Sequence, residues 1–162
     1  MAARPEAQPA AQPANLEILL MRRSRGRILA GLWQCVSGSL EPGERIVAGA
    51  LRELREETGF DAPAIQELFD LDQVNQFHEP SVDAILSAAV FAVRVGAGSE
   101  PVLSHEHDEA RWLTPAEALE IVVWPAYRES IGRIVADLAV PDRAAWFRLG
   151  MDGRRPAGRL VD

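Results

Sequence analysis

GSLEPGERIVAGALRELREETGF, residues 38–60, decides how the rest of this chain is read. Gly38, Pro42 and Gly43 punctuate a turn. Ile46 to Thr58 then reads as a helix, with Gly59 as its stop. Val47, Leu51 and Leu54 supply an apolar stripe that can dock on a core, while Glu53, Glu56 and Glu57 crowd the other side. Like charges at i,i+4 cost a helix about 0.2–0.5 kcal/mol per pair, so the crowding asks for a compensating charge. One reading is a solvated acidic face. The other is a divalent cation. Mg2+ and Mn2+ favour oxygen ligands, and Mg2+ is commonly held by a few carboxylates together with a substrate's phosphates.

The spacing decides between them. The stretch fits G-x5-E-x7-R-E-U-x-E-E-x-G-U, with U a bulky apolar residue, at Gly38, Glu44, Arg52, Glu53, Leu54, Glu56, Glu57, Gly59 and Phe60. A chance match has a probability on the order of 10^-9 per starting position at ordinary residue frequencies. This pattern resembles the Nudix box, the signature of the Nudix hydrolases. The resemblance implies an α/β fold, an α/β/α sandwich around a central mixed β-sheet. It also implies metal-assisted attack of water on a phosphoanhydride. In that scheme Glu53 and Glu57 bind Mg2+ or Mn2+, Glu56 binds directly or through water, and the Gly38 carbonyl is a further ligand. Arg52 is expected to pin the turn to the helix through a carboxylate such as Glu44. The general base is Glu53, Glu56 or Glu106.

A second run, WQCVSGSLEPGE from Trp33 to Glu44, is similar to the dihydroneopterin triphosphate and dATP pyrophosphohydrolase branch of that family. The substrate implied is a small nucleoside triphosphate-type molecule. Two alternatives keep the same box: hydrolysis of nucleotide-sugar or dinucleoside polyphosphates, and a regulator that binds a nucleotide without cleaving it. Such regulators often lose box carboxylates, and all are present here.

Composition is consistent with this reading. A chain of 162 residues with 48% hydrophobic content suits one packed domain. A net charge of −7 disfavours a nonspecific grip on a nucleic acid backbone. No apolar run reaches transmembrane length, and no signal-peptide core is visible. Cys35, the single cysteine, has no internal partner, so a reducing compartment and the cytoplasm are expected, for a monomer or a homodimer.

Residues 1–14 are rich in Ala and Pro and read as a mobile extension. The Nudix resemblance implies a strand before the one near Leu16, yet none is evident, so the usual first strand is expected to be poor or missing. The domain is expected over 15–140, with a C-terminal tail over 141–162. Leu16 to Met21 reads as a strand running into Arg22 and Arg23, which are either the basic rim of a solvated turn or, through Arg22 or Arg23, a forked donor facing phosphate oxygens. Leu32 to Ser37 reads as another, in which Trp33 is either core or a substrate wall. Ile65 to Phe77 and Val82 to Val95 read as an antiparallel pair lining a cleft, with Asn75, Gln76, Phe77 and His78 either base or sugar contacts or ordinary strand-end polarity.

His105-Glu106-His107 has no second Cys or His cluster to complete a zinc site. By resemblance, the run Glu106 to Trp112 instead carries an acidic residue to the metal site, with Glu106 favoured over Asp108 and Glu109. Thr114-Pro115 marks a helix start over 115–122. A terminal amphipathic helix over 126–138 is expected to pack opposite the box helix.

Overall fold

The computed structural model describes residues 16–157. The expected N-terminal extension, and any strand within it, lies outside these residues. Six strands and four helices follow in the order β1 (Ile18–Arg23), β2 (Trp33–Gln34), α1 (Ile46–Thr58), β3 (Ile65–Glu79), β4 (Ala84–Val95), β5 (His107–Leu113), α2 (Pro115–Ile121), α3 (Pro125–Arg133), α4 (Pro141–Phe147) and β6 (Arg148–Leu149). A π-helical turn, Ile134–Leu138, continues α3. The terminal helix expected over 126–138 is therefore α3 with this wider turn.

The strands form two three-stranded sheets, β2-β1-β5 and β4-β3-β6. Every pairing among the described residues is antiparallel. This corrects the expectation of one central mixed sheet: with no described strand parallel to its neighbour, the sheet order follows from local hairpins and returns. The stretch expected to be a tail also carries structure. Its α4 packs on the core, and Leu149 of β6 pairs with Leu68 of β3.

Alternation builds the first core. Ile18 and Leu20, two residues apart on β1, face Ala118, Val122 and Ile131 from α2, its C-terminal end and α3. Phe69 and Leu71 of β3 do the same for Leu138 and Ala144. Ile134 packs against both clusters and so joins the two sheets. The opposite side of β3 and β4, with Asp70 and Phe91, faces the start of α1 across a cleft of about 430 Å3. Helices therefore lie on both sides of this sheet, an α/β/α arrangement.

The α1 stripe of Val47, Leu51 and Leu54 is only half-buried, because the cleft lies against Val47. Polar grips hold the helix instead. Thr58 Oγ1 donates to the Leu54 carbonyl at 2.6 Å and accepts from the Phe60 N–H at 3.2 Å. The Val102 and Ser104 N–H groups donate to the Thr58 and Glu57 carbonyls at 2.8 and 3.2 Å. These bonds satisfy the carbonyls that a helix C-terminus leaves orphaned, and they bring the segment before β5 against the end of α1.

Candidate active site

The turn before α1 is fastened to the helix by one side chain. Arg52 donates from Nε and Nη2 to the two oxygens of Glu44, both at 3.0 Å, and from Nη2 to the Ser39 carbonyl at 2.9 Å. Its Nη1 donates to Glu53 at 2.9 Å and to Glu56 at 3.2 Å. A forked guanidinium suits this role because it can serve several acceptors in fixed directions. Glu44 is held well below the usual carboxylate range by Arg52 and by the Glu41 N–H. Two glycines let the parts meet. A Cβ on Gly49 would lie 2.5 Å from Leu40 Cδ2 and 2.9 Å from Glu44 Oε2, and one on Gly38 would lie 1.9 Å from Glu53 Cδ.

Glu57, one turn along from Glu53, has a different environment. Its side chain is only 7% exposed. Burial pushes its carboxyl up to about 7, and the charges of Glu106 and Glu53 push the same way, against a hydrogen bond from the Ser37 backbone and the charge of Arg23. These causes converge from β1, α1 and the segments beside β2 and β5. Tyr127 closes another side: burial, with Cys35 and Glu57 nearby, pushes its hydroxyl up to about 12. Cys35 is likewise pushed up to about 12 by burial and stays a neutral thiol. Burial pushes the His107 imidazole below its ordinary value and Arg23 pushes the same way, against the charges of Glu106 and Asp108.

Arg22 and Arg23 part company. The β1–β5 register shifts between them, and such a bulge re-aims a side chain. Arg23 donates to Glu106 at 2.7 Å, beside Glu57. Arg22 instead pairs with Asp108 and Glu109, each at 2.7 Å. It also lies 5.9 Å from the centre of the Trp33 ring, over which Arg111 sits at 4.7 Å. Trp33 packs partly against the first core and carries these two cations. Phe77 lies on the outer part of β3 opposite Leu86, 47% exposed. The structure thus groups Gly38, Arg52, Glu53, Glu56, Glu57, Arg23 and Glu106, and sets Arg22, Trp33 and Phe77 in other surroundings.

Among the described residues, no group of three or more His, Cys, Asp or Glu side chains is placed to hold a metal ion by itself. Mg2+ does not require one, since it keeps several waters and uses one or two carboxylates plus substrate phosphates. The positive sign is Glu57 Oε2, a buried oxygen with no hydrogen-bond partner. A desolvated carboxylate under the repulsion of two other negative charges is costly unless a cation joins it. The donor set, all hard oxygen, fits Mg2+ or Mn2+.

Sequence reasoning did not find Gln34 or Tyr127, and it considered His107 only for zinc. Gln34 stands in the same run as Gly38, but its direction depends on strand pairing. Tyr127 carries no local signal.

Comparison with known proteins agrees with this architecture. The NUDIX domain matches residues 10–134. This chain belongs to the Nudix family. It is 36% identical over 121 residues to an octanoyltransferase of Myxococcus xanthus, covering 74% of this chain and 32% of that protein. The chain thus spans about a third of that relative's length. It is 29% identical over 118 residues to the CTP pyrophosphohydrolase of Escherichia coli, covering 68% of this chain and 76% of the relative. The structure of the E. coli dihydroneopterin triphosphate pyrophosphohydrolase superposes with a TM-score of 0.63 at 25% identity, covering 74% of this chain and 85% of that one.

Proposed function

We propose that this protein is a Mg2+-dependent pyrophosphohydrolase that cleaves a nucleoside triphosphate-type substrate to a monophosphate and pyrophosphate, with Mn2+ able to replace Mg2+. The observation that carries the reading is Glu57: a carboxylate sealed from water, with one oxygen unpartnered, beside Glu53 and Glu106. Similarity to a CTP pyrophosphohydrolase and to a dihydroneopterin triphosphate pyrophosphohydrolase supports the substrate class.

In this reading Glu53 and Glu57 hold the ion, with the Gly38 carbonyl beside Glu53 and Glu56 at the exposed rim. When bound, the ion supplies Lewis-acid polarisation of phosphoryl oxygens and a lowered pKa for water. Arg52 keeps the Gly38 turn and Glu53 in one rigid body, so that the carboxylates are positioned before substrate arrives. Arg23 offsets the charge of Glu106, and in this reading its remaining donors serve the phosphate chain. The proton of the attacking water passes to Glu53, Glu56 or Glu106. No helix among the described residues is long and apolar enough to cross a membrane. The single free thiol of Cys35 suits a reducing compartment, and we place the protein in the cytoplasm.

The test is a panel of nucleoside triphosphates, dihydroneopterin triphosphate, nucleotide sugars and dinucleoside polyphosphates, followed by phosphorus NMR with Mg2+ or Mn2+. Pyrophosphate release from a triphosphate is the expected result. Orthophosphate alone, or turnover confined to the sugar and dinucleoside compounds, overturns it.

A further inference from the structure

Among the described residues, two buried side-chain polar atoms lack a hydrogen-bond partner: Glu57 Oε2 and His107 Nδ1. They face each other at 3.9 Å, and the imidazole side chain is fully enclosed. Orphans of this kind cost about 1–3 kcal/mol each, so two in contact call for an explanation. The other ring nitrogen supplies one. His107 Nε2 lies 3.2 Å from Gln34 Nε2. Gln34 belongs to β2 and His107 to β5, the two strands that flank β1, so this contact joins the outer strands of the sheet.

The chemistry of the contact fixes the proton. The amide nitrogen of Gln34 can only donate, so Nε2 must accept. A neutral imidazole has a single N–H, which must then sit on Nδ1 and face Glu57. The opposite tautomer would set a lone pair against a carboxylate oxygen, two acceptors with nothing between them.

We propose that Gln34 and His107 form a relay that orients Glu57. Gln34 sets the imidazole tautomer, and His107 Nδ1–H takes one lone pair of Glu57 Oε2, leaving the other lone pair of that oxygen aimed at the ion. Both are positioning residues, since neither touches the phosphate chain. A gap of 3.9 Å is too long for a hydrogen bond, and a small rotation of the carboxylate closes it. The inference rests on the reading of Glu57 as an ion ligand. It goes further in naming what aims that ligand, residues outside the box and on two other strands.

The test measures Mn2+ affinity of the substrate-free protein by electron paramagnetic resonance of the free ion, for wild type, His107→Leu, His107→Asn and Gln34→Leu. Thermal midpoints in EDTA monitor folding. Loss of an outer partner typically costs 10–100-fold in metal affinity, so His107→Leu is expected to weaken Mn2+ binding by roughly that factor. The Asn amide can place an N–H near the position of Nδ1, so His107→Asn is expected to stay within about threefold of wild type. Gln34→Leu leaves the ring but frees its tautomer, and is expected to fall between them.

Wild-type affinity in a folded His107→Leu overturns the relay, as does equal weakness of the Leu and Asn variants. If His107→Leu does not fold, undiminished affinity in Gln34→Leu overturns it. Failure of wild type itself to bind Mn2+ would instead remove the ion reading on which the relay stands.

Discussion

Around β1, the sheet β2-β1-β5 buries polar side chains, with Gln34 and His107 at 6% and 4% exposure, while the outer half of the β3–β4 ribbon exposes apolar ones, with Val74 at 64% and Ile85 at 65%. Burying polar groups is costly unless they are satisfied, so the first region carries strain that only a ligand or a network relieves. Exposed apolar groups on a ribbon carry little, because surface side chains already contact water in both states. The two regions therefore answer mutation differently. Near β1 the chemistry of a side chain matters more than its volume. On the outer ribbon neither should matter much.

The sharpest way to break that comparison is Glu57→Gln. It keeps shape and removes charge from the enclosed carboxylate. Turnover with Mg2+ is expected to fall by about 100-fold or more, since metal coordination contributes several kcal/mol to the transition state, while circular dichroism stays unchanged. Near-normal turnover in the folded variant would remove Glu57 from the site.

The same carboxyl should appear in the pH dependence of the metal-free protein. Its folded value, about 7, lies above the ordinary 4.5. The unfolded chain therefore loses its proton first. Stability from the neutral carboxyl is fully present below about pH 4.5 and is lost as pH rises through about 7, a total of roughly 3 kcal/mol. Urea midpoints in EDTA should decline across this window in wild type and stay flatter in Glu57→Gln. Parallel slopes would mean that Glu57 is solvated.

Apolar truncations calibrate the scale. Leu20, with 0% exposure in the first core, should lose about 3 kcal/mol on change to Ala, measured by urea unfolding. At the small end, Ile85→Thr on the outer ribbon should shift stability by less than about 0.5 kcal/mol. A larger loss there would show that the ribbon is covered in solution.

What could be read in advance follows the same division between local and distant structure. The spacing from Gly38 to Phe60 carries the turn, the helix and the crowding of its acids, because each depends on residues within a few helical turns. The strands from Ile18, Ile65 and Ala84 were visible as apolar runs for the same reason. Their pairing was not. Two antiparallel sheets, in place of one mixed sheet, depend on contacts far apart in the chain, and β6 has only two residues, too few for a period. Adjacent Arg22 and Arg23 look equivalent in the sequence, yet one bulge sends them to different partners. The surroundings of Glu57 come from β1, β2, β5 and α3, so no window of sequence contains them.

Gly38 leaves room for Glu53 by lacking a single carbon. A lineage could therefore fall silent through one codon while keeping every acid intact. Anyone judging which relatives still work would do well to inspect this empty position before counting carboxylates.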